Sequence, residues 1–300
     1  MQFLKKLFGF YINSSIHVAL SVYALVQLTE ILFTISDDFA TSYFAFFGTI
    51  VGYNFVKYDA LARTKKVQMS LQLKGIAFMS FLSLIATGYY FFQLQKTTQI
   101  IGFVFLSITL LYTLPFFPNK KNARNWAGFK IYIVALCWVG VTLFLPIINN
   151  SLPLTSYMFL VAAQRFILIF VLILIFEIID LRLDDPHLKT VPQQIGVAKT
   201  KRVGVTLMVL FVLLEFLSSD FRMEFFALKS ALAITTILFL LFSNEKRSRY
   251  FASFWVESIP IFWWFSANSF KTLLRSVIKL VKCFFRISTS NSLPKIPYGV

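Results

Sequence analysis

Nine long apolar runs dominate this chain, and they constrain its fold more than any other feature. They lie near 15–35, 40–57, 71–92, 98–115, 127–148, 157–180, 203–217, 223–243 and 251–268. A helix needs roughly 20 mostly apolar residues to cross a bilayer, and most of these runs are about that long. They are too long for strands and lack the alternation of a barrel. The seventh run is short and has room to begin earlier, and the ninth contains Glu257 and Pro260. Composition agrees: mean hydropathy is +0.73, charged residues make up only 14% and aromatics 18% of 300 residues. A soluble fold has too little interior for so much apolar surface. The expectation is an all-α, polytopic transmembrane bundle of eight or nine helices.

The segments between runs alternate in charge. Lys5 and Lys6 precede the first run, and SDDF at 36–39 has no base. Arg63, Lys65 and Lys66 follow the second run, and Lys120, Lys121 and Arg124 the fourth. Arg182, Lys189, Lys199, Lys201 and Arg202 follow the sixth, and Lys246, Arg247 and Arg249 the eighth. By the positive-inside rule the N-terminus and every second loop face the cytoplasm. A multi-pass protein of a bacterial cytoplasmic membrane is expected, and topology accounts for most of the excess of 16 positive charges. No nucleic-acid partner is expected. Nine spans place residue 300 outside, although the tail is basic. Residues 1–268 read as the transmembrane domain and 269–300 as a basic amphipathic tail suited to an anionic lipid surface. Cys137, Cys283, His17 and His187 are isolated in sequence, which argues against a zinc or haem enzyme.

Chemistry concentrates in FEIIDLRLDDPHLKTVPQQIG, residues 176–196. Glu177, Asp180 and Asp184 are spaced i, i+3, i+7 and would share one helix face until Pro186 stops the helix. Acids at a helix C-terminus oppose the macrodipole and need compensation, which a divalent cation would supply. Mg²⁺ takes carboxylates together with substrate phosphates. The plainer alternative is a solvated helix end, which is how Asp185 reads by itself.

These residues resemble the UbiA superfamily of intramembrane prenyltransferases. The resemblance rests on Glu177-Ile178-Ile179-Asp180, Asp184, Lys189-Thr190-Val191-Pro192 and Gly196, with Glu standing where the family usually has Asp. A second stretch, 111–142, is similar through Tyr112, Pro115, Lys120, Lys121, Lys130 and Trp138, and 15–28 adds a weaker likeness. The resemblance implies nine helices around a cavity and transfer of a prenyl group from an allylic diphosphate to a lipophilic or polar acceptor. It implies Mg²⁺ held by Asp180 and Asp184, the catalytic pair, with Glu177 assisting. It makes Asn54, Lys57, Lys120, Lys121 and Lys189 candidates for the diphosphate. The family's first Asp-rich motif is degenerate here, in GYNFVKYDALAR at 52–63. Asn54 matches, Phe55 and Tyr58 replace acids, and Asp59 is one residue out of register. One reading expects one metal, not two, with Lys57 doing part of a cation's work; the other expects a decayed site in which Lys57 and Tyr58 are only an interface anchor. The rival expectation is a catalytically silent member with a lipid-binding or scaffolding role. A secondary transporter is disfavoured, because no inverted repeat is visible and the acids gather at one face.

Overall fold

The computed structural model describes residues 2–36, 38–63, 70–113, 128, 130–218 and 221–269. Helices occupy all nine expected positions, and no strand occurs among the described residues. They are α2 (Ile16–Leu32), α3 (Phe39–Arg63), α4 (Leu71–Phe91), α5 (Lys96–Thr113), α6 (Lys130–Asn149), α7 (Ser156–Asp180), α9 (Val197–Leu213), α10 (Met223–Phe242) and α11 (251–269). Two helices were not foreseen: α1 (Gln2–Asn13) and the short α8 (Val191–Ile195). The seventh run does begin earlier, at Val197. Among the described residues, α4, α6, α7 and α10 have both the length and the hydropathy to cross a bilayer. The pair α1–α2, bent by 54°, meets the same test only when its two helices are taken together.

Local chemistry sets several boundaries. Thr155 caps α7 by accepting from Met158 N, and Ser70 caps α4 by accepting from Leu73 N. Gln193 Oε1 accepts from Thr190 N at 3.0 Å at the start of α8, one half of a capping box. The chain between α1 and α2 turns at Ser15, whose φ of 61° is left-handed.

α7 is the central helix. Of its apolar window 61% is buried, against 11% for α4, so α7 carries the core and α4 faces outward. Leu168, Val171, Ile175 and Ile178 of α7 pack with Phe211 of α9, Leu240 of α10 and Val256 of α11.

Pro146 explains a second feature of the core. Proline has no N–H, so the carbonyl four residues earlier loses its helical donor. That carbonyl belongs to Thr142, inside a π-helical turn spanning Gly140–Phe144. It accepts instead from Thr29 Oγ1 at 2.6 Å and from Arg165 Nη1 at 2.9 Å. The same Nη1 donates to Leu25 O at 2.8 Å, so Arg165 of α7 pins α2 and α6 together.

Candidate functional site

At the end of the bundle that holds the N-terminus, α7 stops at Asp180. The N–H groups of Leu183 and Asp184 both turn back to Asp180 O, at 2.7 and 2.9 Å. This corrects the expectation of three acids on one helix face. Glu177 and Asp180 lie on α7, whereas Asp184 sits in the turn that follows. Pro186 acts before its own position, because the residue preceding a proline avoids the helical region. The chain instead makes a 3₁₀ turn at Pro186–Leu188. Asp184 still lies close enough to act electrostatically on Glu177 and Asp180.

Each acid has a different protein partner. Glu177 is buried, and its Oε2 accepts from Val191 N at 3.1 Å. A carboxylate at the start of α8 suits the positive end of that helix, and it ties the 181–190 loop back onto α7. Asp180 Oδ1 lies 3.6 Å from Arg249 Nε at the entry to α11. Beyond it, Arg182 Nη2 donates to Glu245 at 3.0 Å between two exposed loops. That contact holds the Glu245 carboxyl below its ordinary value and raises the Arg182 guanidinium. Lys130, the first residue of α6, acts electrostatically on both Glu177 and Asp180. Lys189 is exposed, with a left-handed φ of 46°. Gly128 donates to Leu188 O at 3.4 Å with φ 78°, so the chain entering α6 meets this loop. A side chain at Gly128 would be strained by that φ and would crowd Gln194 Nε2, 3.2 Å from the Cβ position.

The α3 side is built differently. Asn54 is buried and uses its whole amide inside the protein. Oδ1 accepts from Ser15 Oγ at 2.8 Å, and Nδ2 donates to Ser14 O at 3.0 Å and Ser80 Oγ at 2.8 Å. Lys57 Nζ and Tyr58 OH both donate to Asn13 O, at 3.2 and 2.9 Å. The polar residues of the degenerate motif thus clasp the α1–α2 elbow. Lys57 also feels the charges of Glu257 on α11 and of Arg249 just before it, so it lies at the same end of the bundle as Asp180, the partner of Arg249. The side chains of Asp59 and Tyr112, together with Pro115, Lys120 and Lys121, lie outside the described residues, as does the tail from 270 onward. Trp138 donates to Tyr53 OH at 2.8 Å, joining α6 to α3.

Among the described residues the donor set does not supply two facing acidic clusters. Among the described residues no three His, Cys, Asp or Glu side chains come close enough to hold a metal. The α3 side offers an amide that is already fully bonded. A single Mg²⁺ that takes its remaining ligands from substrate phosphates fits the chemistry of Asp180 and Asp184.

Several polar residues to which the sequence assigns no role are bonded inside the bundle. His17, isolated along the chain, is bonded in space. Its Nδ1 lies 2.7 Å from Tyr11 OH, and its Nε2 lies 2.8 Å from Phe254 O and 3.1 Å from Ser258 Oγ. Deeper in the bundle, Lys229 of α10 pairs with Glu215, which follows α9, and donates to Gln164 Oε1 at 2.9 Å. Gln164 Nε2 returns a bond to Glu215 at 3.0 Å. The signal was available: single ionisable residues inside apolar runs are costly and rarely incidental.

No family model and no curated protein sequence matches this chain. Its structure is similar to a solved structure of digeranylgeranylglyceryl phosphate synthase, described as acting in membranes. The TM-score is 0.53 at 14% identity, over 88% of this chain and 98% of the other. At that identity the likeness establishes a shared fold, an all-α membrane bundle.

Proposed function

We propose that this chain is an integral membrane prenyltransferase of the UbiA type, acting at the mouth between α3, α7 and α11. One observation carries the reading. The acids closing α7 meet basic residues from two other segments, Lys130 of α6 and Arg249 just before α11, at one end of the bundle, and Lys57 of α3 in turn feels the charges of Arg249 and Glu257. The shared fold and the residue resemblance over 177–196 support it. The allylic diphosphate would rest at this mouth, with its chain between the apolar helices. Lys57, Lys130, Arg249 and Lys189 would offset its charge, together with Lys120 and Lys121, which precede α6 in the sequence. Asp180 and Asp184 would hold one Mg²⁺ against the diphosphate, and such an ion would stabilise the departing pyrophosphate. The bundle would keep water from the allylic cation. The acceptor is a lipophilic or polar molecule able to enter from the membrane.

The clasp on the elbow favours a second reading, a lipid-diphosphate binder that no longer transfers. The two separate in one experiment. Purified protein should bind a prenyl diphosphate analogue in a Mg²⁺-dependent manner, and Asp180→Asn/Asp184→Asn should abolish that binding while leaving the protein folded. Unchanged binding in the double variant would sink the site assignment. Binding without Mg²⁺ dependence or turnover would select the second reading.

The proposed membrane is the bacterial cytoplasmic one, with the N-terminus inside. A reporter fused after residue 300 should then be active only outside the cytoplasm. Activity confined to the cytoplasm would mean that 251–269 does not cross.

A further inference from the structure

The spans have apolar surface all round, but α1 is two-faced. At about 100° per residue, Phe3, Leu4, Leu7, Phe8, Phe10, Tyr11 and Ile12 share one broad face, and Lys5, Lys6, Gly9 and Asn13 share the other. α1 carries no acid.

The apolar face divides along its length. Its second half lands on protein. Ile12 is buried, the Phe8 ring lies 5.2 Å from that of Phe254 and 5.6 Å from that of Tyr250, and Phe10 fills the space beside Gly75 of α4. Its first half has no such cover. Phe3, Leu4 and Leu7 are 75%, 67% and 55% exposed. The face that seats α1 on the ends of α4 and α11 therefore continues past them. The 54° bend turns α1 away from the direction of α2. The angle is fixed by the clasp of Asn54, Lys57 and Tyr58 on Asn13–Ser15 and by the contact of Tyr11 with His17 across the bend.

From this geometry we propose that α1 is an interfacial foot that docks on an anionic lipid leaflet at the mouth of the bundle. Phe3, Leu4 and Leu7 enter the boundary between headgroups and acyl chains. Lys5 and Lys6 flank the two edges of the apolar face, where their stems lie along it and their ammonium groups reach lipid phosphates. The occupant is anionic lipid because the foot combines an uncovered apolar half with two bases and no opposing charge.

Nitroxide scanning of the full-length protein in nanodiscs tests this. Cys137 and Cys283 are first replaced by serine, and single labels are placed at Leu4, Leu7 and Gly9. Gly9 tolerates a label, since nothing lies within 4 Å of its Cβ position. In phosphatidylglycerol-containing discs the labels at 4 and 7 should be accessible to oxygen and shielded from a water-soluble nickel chelate, with the reverse at 9. Lys5→Gln/Lys6→Gln should lower the preference for phosphatidylglycerol over phosphatidylcholine, by about fivefold per lysine, without changing thermal stability. Nickel access at 4 and 7 would overturn the proposal. So would equal immersion in purely zwitterionic discs. Short label-to-label distances at Leu4 would also overturn it, because they would mean that a second copy of the chain covers the face.

Discussion

Lys229→Met should destabilise the protein by roughly 3–5 kcal/mol, because it strands a buried carboxylate. Lys229 and Glu215 are 2% and 1% exposed, and Gln164 bonds to both. Removing the ammonium leaves Glu215 with only the Gln164 amide, in surroundings that cannot solvate an anion. Glu215→Gln strands the ammonium and should cost a similar amount. The double variant Glu215→Gln/Lys229→Met should recover most of either loss. It removes both charges together, and the new amide still accepts from Gln164. Unfolding in detergent micelles, read by denaturant or heat, gives the four corners of the cycle. Additive losses would show that the pair contributes nothing through its mutual charge, and that each side chain matters only for packing.

The same array shows where sequence reading stops. The nine runs were legible because the bilayer demands length and apolarity, and both are local properties. Helix ends were legible where a local cap sets them, as at Ser70 and Thr155. The register at Asp184 was not. Whether the chain continues past Asp180 depends on two N–H groups competing for one carbonyl, and spacing cannot show that. Glu215 and Lys229 lie 14 residues apart, one after α9 and the other in α10, so nothing in the sequence pairs them. Arg165 reads as a lone base in an apolar run. Its partners lie on other helices, Leu25 O and Thr29 Oγ1 of α2 and the Thr142 carbonyl that Pro146 frees on α6. His17 is the extreme case: it joins Ser258 across 241 residues. In the candidate site, the α7 acids and their relation to the loop were legible. Arg249 was not, because only the return of α11 to the mouth brings it to Asp180.

Asn54→Ala should cost roughly 2–4 kcal/mol, since several buried groups lose their partners at once. It frees Ser14 O, Ser15 Oγ and Ser80 Oγ from the side chain that joins them. Ser14 and Ser15 are 0% and 4% exposed, so water does not readily replace the amide. Asn54→Asp is the sharper variant. It keeps size and shape and still accepts from Ser15, but it cannot donate to Ser14 O, and it adds an unpaired negative charge. It should be at least as damaging as alanine, although it moves the motif toward the acidic character of the resembling family. The resemblance made Asn54 and Lys57 candidate diphosphate ligands, a role that predicts lost ligand binding with stability intact. The clasp predicts the opposite order: stability falls, while the protein that remains folded binds a prenyl diphosphate analogue as before. Lys57 separates the two roles further. Its bond to Asn13 O is exposed, so Lys57→Ala should unfold the protein far less than Asn54→Ala does. Any loss of diphosphate affinity in Lys57→Ala then reports charge at the mouth and not a loosened elbow. A stable Asn54→Ala protein that no longer binds the analogue would restore the motif as a ligand site and remove the clasp from the account.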